Sequence, residues 1–352
     1  MQTALKGVGM KKVLIGVSGG VDSSVSAYLL KEQGYDVYGV HFSLRDGVFD
    51  LLDAKSVAKS LDIPLYEVDF SAKFEESVFS EFINDYATGL TPNLCVLCNQ
   101  KIKFGLLFEF AKTLGIDTVA TGHYCSVEKI DERTFLKCAK DEGKDQTYFL
   151  NQVKESVFEN VLFPLASYSK EEVRKIAEDN GLVTAHKKGS SDICLMQDKS
   201  FREFLKPYIP KKKGEIVSDK GELVGHHDGL YNFTLGQRKG LGLGGKQGES
   251  GRWFVIGKDC KNNKLIVSHG SEDALFSDRL VLENCNFIGI TPKESFSCLA
   301  KTRYRQQAEP CTVYIKENFV EVIFDNPQRA ITSGQYCVFY KDGYCIGGGK
   351  IK

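Results

Sequence analysis

A single short loop, Ser18-Gly19-Gly20-Val21-Asp22-Ser23-Ser24, does most to restrict the folds open to this chain. It follows the apolar run Val13–Val17 and precedes Asp22–Gln33, a stretch with helical patterning that ends at Gly34. Such a strand–loop–helix order predicts a parallel α/β unit with a helix N-terminus at its carboxyl edge. Two adjacent glycines let the backbone approach an anion closely, and the first amides of the helix point outward as donors. The hydroxyls of Ser18, Ser23 and Ser24 are expected to add donors, and the helix dipole favours negative charge at this end. No Gly-Lys-Ser/Thr follows, so this is a phosphate loop of a kind other than Walker's.

The pattern beyond the loop agrees. Val37–Leu44 reads as a strand, Leu51–Leu61 as a helix, Leu65–Phe70 as a strand, and Thr118–Thr121 as a short strand opening into Gly122-His123-Tyr124. Strands alternating with helices predict an α/β, doubly wound parallel sheet for the N-terminal domain. From about Gly214 the character changes: short strand-like runs are broken by turns such as Ser218-Asp219-Lys220-Gly221 and Lys261-Asn262-Asn263. Thr312–Lys316 and Phe319–Phe324 alternate apolar and polar residues, and no long helix is evident. The expected organisation is residues 1–205 as the catalytic α/β domain, 206–274 as a small central β-rich domain and 275–352 as a C-terminal β-barrel. Pro207–Gly214, with Lys211, Lys212 and Lys213, reads as a solvated linker.

Composition excludes several classes. Forty-six basic and 46 acidic residues cancel, so nucleic acid would have to be held by local patches rather than bulk charge. No apolar run approaches a membrane span of roughly 18 residues, and the polar start Met1–Lys12 carries no secretory pattern. Met10 is an alternative start, and the expected location is cytoplasmic. There, 11 scattered cysteines should be mostly reduced packing residues.

Two cysteine stretches stand apart from the rest: Thr91-Pro92-Asn93-Leu94-Cys95-Val96-Leu97-Cys98-Asn99 and Ser190-Ser191-Asp192-Ile193-Cys194. The first contains Cys-x-x-Cys, but no second pair stands at zinc-ribbon spacing. Lys101, Lys103, Lys187 and Lys188 are neighbours that would favour thiolate, the nucleophilic form. His226-His227 lacks partners at ligand spacing, and no metal site is expected. Arg303-Tyr304-Arg305, read in isolation, is an alternating strand with two outward cations. Leu235–Gly242 reads as a turn surface whose Arg238 and Lys239 face phosphates.

The loop resembles the SGGxDS loop of the PP-loop ATP pyrophosphatases, which cleave ATP to AMP and pyrophosphate while adenylating a carbonyl oxygen. Taken in order, SGGVDSS, TPNxxxxCNxxIKF, ATGHY, KDQTYFL, LGQRKGLGLGG and KTRYRQ resemble the tRNA-specific 2-thiouridylases nearly end to end, from Val13 to Lys350. The resemblance implies a tRNA-uridine 2-sulfurtransferase that thiolates the wobble uridine at C2 with ATP, Mg²⁺ and a persulfide sulfur. Its implied partners are tRNA and a sulfur-donor or sulfur-carrier protein, with no membrane. By matching positions, Gly16, Val17, Ser18, Gly19, Gly20, Val21, Asp22 and Ser23 form the ATP loop, with Phe42 and Gly122 at the nucleoside. Cys98 matches the nucleophile and Cys194 the persulfide carrier; attack by Cys98 on the inner sulfur would leave a Cys98–Cys194 disulfide, and direct attack by the persulfide's outer sulfur is equally compatible. Asn93, Leu94 and Cys95 match base-contacting positions, and His123, Lys144, Asp145, Gln146, Arg303, Tyr304, Arg305 and Gln335 match tRNA-contacting ones.

Two departures stand out. Asn93-Leu94-Cys95 replaces an Asn-Pro-Asp, which removes an acidic group, and Phe42 replaces a Met on the adenine wall. A second reading keeps the loop but gives it a small-molecule acceptor. A third places an iron–sulfur cluster on Cys95, Cys98 and Cys194; it is compatible with thiolate chemistry but not favoured.

Overall fold

The computed structural model describes residues 10–45, 51–187, 194, 200–244 and 251–352. The extension 1–9, Lys188, Ser190–Ile193 and the end of the LGQRKGLGLGG stretch lie outside them. The chain divides into two compact units: residues 1–75 with 98–195, and residues 76–97 with 196–352.

The first unit is built on a parallel sheet of β1 (Lys12–Gly16), β2 (Asp36–Ser43), β3 (Leu65–Asp69), β4 (Val119–Ala120) and β7 (Val161–Leu162), in the order β3-β2-β1-β4-β7. β1 pairs in parallel with both β2 and β4, so its apolar residues are covered on both faces. Val13 and Ile15 pack on one side with Val25, Leu29 and Leu30 of helix α1 (Val21–Glu32) and with Val57 of helix α2 (Leu51–Ser60). Leu14 and Val40 pack on the other side with Leu107, Ala111 and Ile116. Helices on both faces of a parallel sheet make the doubly wound layer that the alternation predicts. α1 stops where Gly34 turns left-handed (φ +81°), with the Gly34 amide bonded to Lys31 and the Tyr35 amide to Leu30. A hairpin of β5 (Cys125–Ile130) and β6 (Arg133–Cys138) completes the unit's strands.

The second unit is β-rich, as the composition shift predicts. β8 (Gly214–Ser218), β9 (Leu223–His227), β10 (Trp253–Asp259) and β11 (Lys264–His269) form one sheet in the order β10-β11-β8-β9. Its core is Ile216, Trp253, Val255, Leu265 and Val267. Gly221 and Asn263 occupy positive φ in the two turns foreseen between these strands. The remaining strands are β12 (Phe276–Phe287), β13 (Ser295–Lys301), β14 (Glu309–Ile315), β15 (Val320–Arg329), β16 (Tyr336–Lys341) and β17 (Tyr344–Ile351). They run β12-β15-β14-β13-β16-β17, and β12 also pairs with β17, which closes a barrel with no free edge. Residues 76–97 contribute the Ser80–Ala87 helix, whose Phe82 and Tyr86 lie against Phe201.

Candidate active site

β1 delivers the chain to its carboxyl edge at Gly16, and the loop turns through Gly19 (φ +73°) into α1. Gly20 is the N-cap, and no side chain caps the helix, so its first amides remain orphan donors. Asp22 therefore sits inside the first turn rather than at the cap. Val17 and Val21 send their side chains into the core and offer only backbone.

The serines divide in an unforeseen way. Ser18 is exposed, and its amide and hydroxyl both reach the Ser23 hydroxyl at 3.2 Å. Ser24 is fully buried, with its hydroxyl donating to the Gly20 carbonyl at 2.8 Å, and Ser26 donates likewise to Asp22. Ser24 thus braces the loop from behind and does not add a donor for an anion.

Three side chains that sequence reading did not assign to the loop converge on it. Lys170 Nζ lies 2.5 Å from Asp22 Oδ1, and the Tyr124 hydroxyl donates to the same oxygen at 2.7 Å. Burial, with the Asp22 carboxylate second, drives the Tyr124 phenol well above its usual range, so it remains a donor. Lys187 donates to the Gly19 carbonyl at 3.2 Å and pairs with Asp53 of α2. Tyr124 ends the ATGHY motif and Lys187 stands out in the sequence only as a neighbour of Cys194; no local spacing ties either, or Lys170, to the loop, because each reaches it from far along the chain. Gly122 packs closely on the loop: a Cβ there would stand 3.1 Å from Ser23 N. Phe42 flanks Gly16, where a Cβ would meet its ring at 3.6 Å, and it tilts against Phe70.

The Leu94–Cys98 helix carries Cys95 and Cys98 one turn apart, and Asn93 Oδ1 accepts from the Val96 amide at its start. Leu94 is buried and Cys95 half-buried, while Cys98 is only 6% exposed. A π-helical stretch, Asn99–Leu106, follows Cys98, and the buried Asn99 amide donates to Phe149 O at 3.1 Å. Cys194 is exposed. No disulfide is formed among the described residues.

The other matched positions separate into outward and inward groups. Lys144 and Arg305 are exposed. His123 is buried between Phe104 and Phe163, with Nδ1 2.8 Å from Thr121 Oγ1, and burial holds its imidazole neutral, well below the usual range. Asp145 is buried and accepts from Ala139 N and Thr147 Oγ1, and Gln146 Oε1 accepts from Tyr124 N. Residues 303–305 do not extend a strand; they form the turn between β13 and β14. The reason is Arg303, whose guanidinium donates inward to Leu235 O, Ala330 O and Thr332 Oγ1. Gln335 Nε2 donates to Thr91 O at 2.6 Å. His227 has both ring nitrogens in internal hydrogen bonds, to Gly229 N and Asn263 O, while His226 is exposed.

Three family models match the chain. The one described as tRNA methyl transferase HUP domain covers residues 11–198, the tRNA methyl transferase PRC-barrel domain 202–269, and the aminomethyltransferase beta-barrel domain 277–351. The "tRNA-specific 2-thiouridylase MnmA" of Psychromonas ingrahamii is 45% identical over 97% of this chain and 97% of its own. The protein of that name from Hahella chejuensis is 44% identical over the same shares. The Listeria innocua protein is 45% identical over 97% of this chain and 94% of its own. The chain belongs to the tRNA-specific 2-thiouridylase family.

Proposed function

We propose that this protein is an ATP-dependent tRNA-uridine 2-sulfurtransferase, acting on the wobble uridine. The observation that carries the reading is the uncapped α1 N-terminus, flanked by Lys170 and Lys187, in a chain that also presents Cys98 and Cys194. The amides of Gly19–Ser23 and the two lysines suit a triphosphate, and the Phe42 ring with Gly122 suits the nucleoside. Mg²⁺ brought with the triphosphate would find the Asp22 carboxylate in the first turn of α1.

A uracil C2 carbonyl is a weak electrophile with a poor leaving group. Transfer of AMP to its oxygen releases pyrophosphate and makes that oxygen part of a good leaving group. A terminal sulfur on Cys194, supplied by a donor protein's persulfide, then reaches C2. Attack by the Cys98 thiolate on the inner sulfur of the Cys194 persulfide would release sulfide and leave a Cys98–Cys194 disulfide. The sulfide displaces AMP to give the 2-thiouridine. A reductant thiol must then restore both cysteines. Lys144 and Arg305 are the exposed cations for the RNA backbone. The same reading keeps 1–205, 206–274 and 275–352 as its catalytic, central and RNA-contacting parts, in the cytoplasm.

The test is AMP release on addition of tRNA. Asp22→Ala should lower it by at least about 100-fold, the order expected for loss of an electrostatic group at a phosphoryl site. Its tRNA affinity should hold. Normal AMP release in that variant would refute the loop assignment.

A further inference from the structure

Residues 88–91 lead from the Ser80–Ala87 helix toward the Leu94–Cys98 helix, and this strap is held at one end by a side chain of β10 and at the other by the turn before β16. The Ser80–Ala87 helix closes at Gly89 (φ +90°), with Leu90 N bonded to Asp85 O and Gly89 N to Tyr86 O. Lys258 of β10 donates to the carbonyl of Gly89 at 3.0 Å, and a Cβ on Gly89 would collide with Cys260 Sγ at 2.3 Å. Two residues on, Thr91 is gripped twice by the turn before β16. Its amide donates to Ser333 O at 3.0 Å and its carbonyl accepts from Gln335 Nε2 at 2.6 Å. Gly334 (φ +90°) lies so close that a Cβ would stand 2.9 Å from Thr91 N. The gripping turn is itself fixed, since Gly334 N donates to Ile351 O and the Arg303 guanidinium to Thr332. Lys350 of β17 pairs with Asp85 at 2.7 Å, both largely buried.

We propose that Gln335 and Lys258 are positioning residues that hold the 88–91 strap, and through it the start of the helix carrying Cys95 and Cys98. The inference rests on the reading of Cys98 as the acting thiol. Gln335 then serves by fixing the protein backbone, through an amide already committed to Thr91, and the family match to an RNA-contacting position has a protein-internal explanation. Proximity arguments make such a grip worth having: a reactive sulfur misplaced by about 1 Å loses rate on the order of 100-fold with no change in substrate affinity.

The experiment has two readouts. Amide hydrogen exchange of residues 89–98 is followed in the RNA-free full chain for wild type, Gln335→Ala, Gln335→Glu and Lys258→Met. Loss of one such hydrogen bond should speed exchange there about fivefold, with β1 and β15 unchanged. Gln335→Glu keeps the shape but cannot donate, so it should match Gln335→Ala; exchange at the wild-type rate in both would overturn the proposal. If Gln335→Ala fails to fold, the Glu and Lys258 variants carry the comparison. Single-turnover thiolation should then fall in rate with tRNA affinity held. Weakened tRNA binding with unaltered exchange would make Gln335 an RNA contact and refute the positioning role. Faster exchange in a protein that thiolates no tRNA would leave the strap standing and remove the functional reading instead.

Discussion

The phosphate loop and the 303–305 turn both look, in one dimension, like clusters of anion-seeking groups, yet the fold treats them in opposite ways. At the loop, donors are left over. Gly20 caps α1 without a side chain, and Ser18 stays exposed. At the turn, the Arg303 guanidinium is spent on Leu235 O, Ala330 O and Thr332 Oγ1, leaving Arg305 as the outward cation. The lesson concerns range. Orphan amides follow from the helix start itself, whereas the acceptors that consume Arg303 come from remote parts of the chain.

That contrast breaks most visibly by exchanging the two arginines' fates. Arg303→Ala should destabilise the protein by about 2–3 kcal/mol, because it removes three hydrogen bonds of one guanidinium at once, two of them at the buried Ala330 and Thr332. Thermal or denaturant unfolding measures this directly. Arg305→Ala should leave stability within about 0.5 kcal/mol but lower the log–log salt slope of tRNA binding by about one. Equal stability effects would erase the distinction between committed and outward cations.

Lys258 sharpens the same point for a cation used internally. Burial pulls its ammonium down to about 8, so the folded state releases a proton that the unfolded chain keeps until about 10.4. Stability should therefore rise with pH between about 8 and 10, by on the order of 2 kcal/mol relative to Lys258→Met. A flat difference across that window would mean the ammonium is solvated. His123 gives the smaller of the two pH effects. Its neutral, buried ring resists protonation, so stability falls as pH drops below about 6.5, where the unfolded histidine charges. Between pH 6.5 and 5.5 the loss should be about 1 kcal/mol relative to His123→Phe, read from urea midpoints.

Much of the architecture was legible because its signals are local. Val13–Val17, the Gly/Ser loop and the Gly34 stop lie within one supersecondary unit, and Gly221 and Asn263 mark their turns by residue type alone. The site was legible as a set of motifs but not as a set of contacts. Tyr124 and Lys170 meet at Asp22 from 102 and 148 residues further along the chain, and no spacing rule links them to the loop. Ser24 reads as a donor because serine is one, yet its depth in α1 turns its proton back to Gly20. His123, Asp145 and Gln335 match RNA-contacting positions by motif; in the fold His123 and Asp145 are buried, Gln335 is half-buried, and each has a partner within the protein that the motif does not reveal.

The two thiols give the most direct test of the account. Wild type, Cys98→Ser and Cys194→Ser are incubated with a persulfide donor, ATP and tRNA, and peptide and nucleoside masses are read together. The Cys194 peptide should gain one sulfur atom in wild type and in Cys98→Ser, while thiouridine forms only in wild type. Cys194→Ser should fail at loading, and Cys95→Ser should retain substantial activity. A Cys95→Ser protein as inactive as Cys98→Ser, together with loss of bound iron, would contradict the two-thiol chemistry and put a cluster in its place.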